Sequence, residues 1–309
     1  MPGGRRPGAI QLSSPTIIAA GAPTGDRILR GILFAVLTFA LFAGMDATVK
    51  WLSADYAVGQ IVFIVAGTAL VPVGLFVAGN GGLRALKPRS PGRVWLRAAL
   101  VAASTLCTLQ GFASLPLAEG YAIAFTVPLL VTVLSVPLLR EAVGIHRWPA
   151  VAVGFAGVIV MLRPGFQTLA PGHFLMIASA LLFASSLIVL RRLGRSESGP
   201  ALIVTLLACL LLLTGPLAVA AWKTPDAAAL GLMLLAGLAF GSGHAFLVLA
   251  FREAPAALVS PFHYTQILWA LFYGAWLFGD RPDPVTLAGA SVVIASGLYT
   301  LWRETRRSR

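Results

Sequence analysis

Charge is what this sequence has least of. Only 11% of its 309 residues are charged, and the 11 acidic side chains are outnumbered by 23 basic ones. A water-soluble domain carries about 25% charged residues, so that class is excluded. Cysteine is nearly missing too. Cys107 and Cys209 both lie inside apolar runs, without metal or redox spacing and without the numbers for a disulfide framework. The four histidines, His146, His173, His244 and His263, are scattered, and none has a close acidic partner in sequence. No GxxxxGK[ST] loop is present, which removes ATP as a driver. No metal site and no cofactor is called for. The links between apolar runs are too short to hold an extra soluble domain.

What is there is apolar. The chain is 58% hydrophobic, with a mean hydropathy of +0.87, so its main solvent is lipid. Ten apolar runs, at 28–52, 57–79, 93–115, 117–139, 147–163, 171–192, 199–222, 228–251, 256–278 and 284–303, each approach the roughly 20 residues that cross a bilayer as helix. Backbone groups in hydrocarbon must be satisfied within the segment, which selects helices. Residues 1–27, rich in Gly, Pro, Ser and Arg, predict a disordered cytoplasmic tail, and 304–309 a second short one. With the N-terminus inside, only Lys50, Arg163, Lys223 and Arg281 fall toward the outer face, and the other nineteen Lys and Arg fall inside. That bias fixes orientation and meets anionic lipid. It assigns the net charge of +12 to topology and not to nucleic acid. Trp95, Trp148 and Trp302 near inner ends, with Trp51, Trp222 and Trp276 near outer ends, form an interfacial belt. The expected arrangement is multi-pass in a membrane, with both termini cytoplasmic.

The chain repeats itself. Phe112 matches Phe251, Pro116 matches Pro255, Ala118 matches Ala257 and Glu141 matches Asp280, all at an offset of 139. Leu41-Phe42-Ala43 recurs as Leu182-Phe183-Ala184 at an offset of 141. Self-similarity over so long a period marks a duplicated unit. Each half holds five spans, an odd number, so the second must enter the membrane from the opposite side. The expectation is an all-α integral membrane protein of ten transmembrane helices, built as two inverted five-helix repeats, 28–163 and 171–303. Such pairs place a substrate near the midplane, between the halves.

Ionisable groups inside a span cost roughly 2.5–3.5 kcal/mol on insertion scales, so each needs a reason. Asp46, with Lys50 four residues on, is either a cavity-lining acid or half of a local ion pair. His244, in Gly241-Ser-Gly-His244, either joins a close helix contact or meets substrate or a proton. In the ninth span Phe262, Thr265, Gln266, Trp269, Tyr273 and Trp276 recur at helical spacing, flanked by His263 and Tyr264 and preceded by Pro261. This stripe reads as a cavity wall on which Trp269 stacks and Gln266 and His263 bind polar ends, or as aromatic helix packing. Its fourth-span counterpart is Tyr121, Phe125, Pro128, Thr132 and Ser135, with Pro128 as a hinge. Gln110 and Ser114 are expected to line the cavity opposite the ninth span. Glu119 reads as a solvated end residue, and Glu141 and Asp280 as residues that fix loop geometry at equivalent helix ends.

Leu115-Pro-Leu-Ala-Glu-Gly-Tyr-Ala-Ile-Ala-Phe-Thr-Val-Pro-Leu129, Leu139-Arg-Glu141, Gly154-Phe-Ala-Gly157, Ala254-Pro-Ala-Ala257 and Gly279-Asp280 resemble the drug/metabolite transporter superfamily, in its ten-helix EamA-like branch. The resemblance spans about 28 to 303. It implies a secondary transporter, not an enzyme, and is most similar to bacterial exporters of amino acids, aromatic ones in particular. Asp280 stands where the family usually has Glu, and His263-Tyr264 where many relatives are apolar. The partners implied are a small-molecule substrate, the bilayer and, as a candidate coupling ion, the proton. The alternatives are a membrane-embedded enzyme acting on a lipid-linked substrate, or a scaffold or sensor.

Overall fold

The computed structural model describes residues 25–140, 147–163, 169–193 and 197–307. Glu141 and His146 lie outside the described residues. Ordered from the N-terminus, the helices are α1 (Gly25–Leu52), α2 (Val58–Ala78), α3 (Pro91–Phe112), α4 (Leu117–Ala124), α5 (Val127–Leu139), α6 (Arg147–Leu162), α7 (Pro171–Leu193), α8 (Gly199–Ala220), α9 (Ala227–Glu253), α10 (Ala256–Val259), α11 (Gln266–Tyr273) and α12 (Pro284–Arg307). Among the described residues seven helical stretches are long and apolar enough to cross a membrane, Leu117–Leu139 counting as one, and Trp148–Leu162 and Pro284–Thr300 are shorter apolar helices.

The fourth and ninth spans are broken. The fourth parts at Phe125–Thr126 into α4 and α5. The ninth passes through α10, a 3-10 turn (Ser260–Thr265), α11 and a π turn (Gly274–Phe278). The breaks obey the 139-residue offset. The Thr126 hydroxyl donates to the Ile123 carbonyl at 2.7 Å, and the Thr265 hydroxyl to the Phe262 carbonyl at 2.6 Å. Both spans then end on a left-handed residue, Arg140 (φ 54°) and Gly279 (φ 66°), whose amides reach back to Ser135 and Gly274. Pro128 sits in the first turn of α5, where its missing N–H costs nothing. It starts a helix there and does not bend a continuous one.

Packing exchanges partners between the halves. α1 lies on α9 and α7 on α3; α2 meets α8, and α6 meets α12. Equivalent positions carry equivalent contacts. The Thr38 hydroxyl donates to the Gly243 carbonyl at 3.3 Å, and the Ser179 hydroxyl to the Ser104 carbonyl at 3.0 Å. Phe125 and Tyr264, an equivalent pair, pack on each other with centroids 4.9 Å apart.

The turns gather at two ends. At the near end, where α1 begins, Arg27 pairs with Glu253 at 3.2 Å, Arg252 bonds Asn80, and Glu197 accepts from the amides of Arg89 and Ser90 at 3.0 and 2.7 Å. At the far end the Gln60 amide exchanges two hydrogen bonds with the backbone of Lys223, at 2.6 and 2.9 Å. There too Arg163, after α6, pairs with Asp283, just ahead of α12.

Asp283 caps α12. It accepts from the Thr286 hydroxyl at 2.8 Å, the Thr286 amide at 3.1 Å and the Val285 amide at 2.8 Å. Those Thr286 bonds, then Arg163, hold its carboxyl down at about 2, below the ordinary 3.8. A depressed carboxyl contributes stability that is complete above its unfolded value and is lost as pH falls through the folded one. The thermal midpoint of the native protein should therefore exceed that of Asp283→Asn at neutral pH. The gap should close between about pH 4 and pH 2. A constant gap in a pH series of melting curves would refute the cap.

Candidate functional site

One face of α1 organises the interior. Phe39, Phe42, Asp46 and Lys50, at spacings of three, four and four, follow one another from the near to the far end. Asp46 is buried and accepts a hydrogen bond from the Tyr121 hydroxyl of α4. The Gln266 amide of α11 donates in turn to that hydroxyl at 3.5 Å, a long bond. One carboxyl thus ties three helices together. A carboxyl at this depth is tolerated only with such partners.

Lys50 does not pair with Asp46. Its ammonium turns away, donating to the carbonyls of Phe112 at 3.2 Å and Leu115 at 2.5 Å, and lies 4.9 Å from the Phe278 ring centroid. Asp280 is near enough to act on it electrostatically. Asp280 keeps one buried carboxylate oxygen without a hydrogen bond. The far end of α1 is thereby fastened to the α3–α4 turn and to the end of the ninth span.

Rings occupy the levels below. His263 packs against Phe39 at 5.2 Å and edge-on to Phe125 at 5.6 Å. About one turn farther along α1, His244 lies 5.0 Å from Phe42 and 4.7 Å from Phe240. Both histidine side chains are partly accessible among these rings.

The fate of the other sequence candidates is mixed. Tyr264 is buried on Phe125, with its hydroxyl unpartnered against Gly297. Trp269 and Tyr273 stack at 6.3 Å, and Gly44 of α1 faces the Tyr273 hydroxyl. Pro261 opens the 3-10 turn. Thr132 and Ser135 are buried. Gln110 and Ser114 are exposed, and among the described residues no hydrogen bond joins either to this cluster. Trp276 is 69% exposed and stacks on the exposed Phe272, outside the interior. The π turn that begins at Gly274 changes the helical phase there.

Three features escape the sequence. Phe39 and Phe42 share the face that carries Asp46, a pattern visible at 3-4-4 spacing. Glu119 is not solvated: it takes up His173 of α7 at 2.9 Å, a pairing that no sequence separation reveals. Arg97 lies inside α3, half-buried, with its Nε sealed and unbonded. Its place within an apolar run is the available signal.

An all-helical bundle with seven membrane-length apolar stretches among its described residues has the architecture of a multi-pass membrane protein. The comparisons agree. Residues 29–163 and again 170–302 match the profile of the EamA-like transporter family. The chain belongs to that family. It is 30% identical to the "Riboflavin transporter" of Rhizobium johnstonii over 287 residues, 92% of this chain and 95% of that one. It is 25% identical to the "S-adenosylmethionine uptake transporter" of Rickettsia prowazekii, covering 90% and 94%. It is 26% identical to the "Pseudopaline exporter CntI" of Pseudomonas aeruginosa, covering 88% and 95%. One solved protein crystal structure, 18% identical with a TM-score of 0.61 and covering 90% of this chain and 98% of that one, shares the fold. Membership in the family therefore stands, while these relatives are not named as amino acid exporters.

Proposed function

We propose that the protein is a secondary transporter of a small ring-bearing metabolite. It works by alternating access through a central cavity between two inverted five-helix repeats, 28–163 and 171–303, in a bacterial inner membrane with both termini cytoplasmic. The observation that carries this reading is the buried Asp46–Tyr121–Gln266 cluster, with the partly accessible His244 and His263 among aromatic rings beside it. The exchange of helix partners between halves supports the inverted arrangement. With the near end cytoplasmic, the Asp46 and Lys50 layers close the outer side. The structure then stands for a conformer closed to the outside. Rocking the halves would break those layers and open the cavity between them outward.

The aromatic walls favour a flat or ring-bearing solute. Aromatic amino acids, moved outward, are the substrates we put forward from the sequence resemblance. A flavin is the second reading, favoured by the 30% identity to the riboflavin transporter. Counterflow into liposomes holding the purified protein separates them. Labelled phenylalanine, tryptophan, riboflavin and S-adenosylmethionine are each offered with and without a pH gradient. Stimulation by the gradient would establish the proton as coupling ion. Failure of every solute to exchange would end the transport reading.

Gln266 and Trp269 supply a local test. Each alanine variant should lose at least about tenfold in flux, the worth of roughly 1.4 kcal/mol of hydrogen bonding or stacking. Both variants should still insert and elute as the native protein does. Full flux in the double variant would take both residues out of the site.

A further inference from the structure

We propose that Arg191 is the latch that closes the near end in the opposite conformer, by donating to the backbone carbonyls of Phe251 and Ala254. This assignment deepens the transport reading above and rests on its two inverted repeats.

At the far end, Lys50 fastens α1 to the α3–α4 turn through the carbonyls of Phe112 and Leu115. The repeat carries all three residues to the near end. An offset of 141 takes Lys50 to Arg191, and an offset of 139 takes Phe112 to Phe251 and Leu115 to Ala254. Arg191 stands in the last turn of α7, as Lys50 does in that of α1. Phe251 and Ala254 flank the end of α9, as Phe112 and Leu115 flank that of α3. The offsets hold in space as well. A Cβ on Gly31 of α1 would come 2.5 Å from the Ala254 Cβ, and one on Gly172, its counterpart in α7, 2.8 Å from the Leu115 Cγ. The start of each helix therefore already sits against the equivalent turn of the other half.

The ends of those helices differ. α1 packs on α3 at the far end, and no comparable packing joins α7 to α9 among the described residues. Likewise α4 packs on α11, and no comparable packing joins α5 to α10 or to the 3-10 turn among the described residues. Phe112 is fully buried, whereas Phe251 is 47% exposed. The near end thus lacks the joint that closes the far end. When two similar units exchange conformations, an interaction made by one is remade by the other. The exchange brings the end of α7 onto the α9–α10 turn. There the guanidinium meets carbonyls that a helix end leaves without intrahelical partners. Its several N–H donors can serve both at once.

Distances between nitroxide labels on the purified full-length protein in lipid nanodiscs test the latch, in a Cys107→Ala, Cys209→Ala background. Leu190→Cys with Phe251→Cys reports the near end, and Trp51→Cys with Ala113→Cys the far end. Lys50→Gln should raise the population with a short near-end distance and a long far-end one at least about threefold, and adding Arg191→Gln should return it to within about twofold of native. Arg191→Lys, with the side chain that does this work at Lys50, should keep the gain. Lys50→Met and Arg191→Met stand in where a glutamine variant does not fold. A short near-end distance that persists without Arg191, or a Lys50→Gln protein that never shows one, overturns the assignment. Two distance populations that ignore Arg191 would leave alternating access standing. One fixed distance at each end in every variant, with no solute exchanged, would end both.

Discussion

Tyr121→Phe should lower counterflow by about ten- to hundredfold without hindering insertion. The phenol hydroxyl is the hydrogen-bond donor to the buried Asp46 carboxyl. A hydrogen bond to a charged or ionisable group contributes about 1.5–3 kcal/mol, and each 1.4 kcal/mol is a factor of about ten in an equilibrium. In a carrier that alternates between two conformers, a bond made in only one of them sets their ratio. Removing the hydroxyl weakens the conformer closed at the far end and leaves a buried carboxyl short of a partner. Asp46→Ala should cost a similar factor. The double variant should be no worse than the single ones, because both remove one interaction, and the cycle should return a coupling of about 1–2 kcal/mol. Lys50→Met is the control: it frees the Phe112 and Leu115 carbonyls without touching the Asp46–Tyr121 bond. Additive losses in the double variant would show that the bond is not the unit that matters.

The same cluster shows how far sequence reasoning reaches. Asp46 stands out because an acid inside an apolar run needs a reason, and Tyr121 and Gln266 because they fall on stripes at helical spacing. Their meeting cannot be read from spacing, since it depends on which helices pack together. The alternative of a local Asp46–Lys50 ion pair is equally open in sequence. It fails because Lys50 finds two carbonyls across the α3–α4 turn. The spans are legible because lipid forces length and apolarity on them. The breaks in the fourth and ninth are not, since Pro128 and Pro261 announce a disturbance but not its form.

The ninth span makes the limit concrete. A stripe running from Phe262 to Trp276 requires 3.6 residues per turn throughout. The chain there runs through a 3-10 turn, an α-helix and a π turn, whose turns hold different numbers of residues. The α-helical phase holds near Gln266 and Trp269 and is lost by Trp276, which faces outward. Arg97 falls among the basic residues that set orientation, and a count of such residues is blind to depth. Its half-burial and sealed Nε are visible only in the fold.

Gly289→Ala should destabilise the protein by about 1–3 kcal/mol, the usual cost of forcing atoms into a filled contact. The helices α6 and α12 touch backbone to backbone. A Cβ on Gly289 would come 2.7 Å from the Gly157 carbonyl oxygen, and one on Gly157 would come 3.0 Å from that of Gly289. Alanine in mid-helix is otherwise favoured over glycine by about 0.5–1 kcal/mol, so the sign of the change reports which effect wins. A Cβ on Gly231 in α9 would meet nothing within 4 Å; Gly231→Ala should therefore raise the melting temperature slightly or leave it unchanged. Gly289→Leu, with a larger side chain against the same carbonyl, should stop folded protein from accumulating. These glycines sit away from the α1 face that carries Asp46, so whatever Gly289→Ala protein does fold should bind solute with native affinity. A variant that melted like the native protein would mean that α6 and α12 can slide apart at little cost, and the pairing of the two fifth spans would then be a loose joint and not a fixed one.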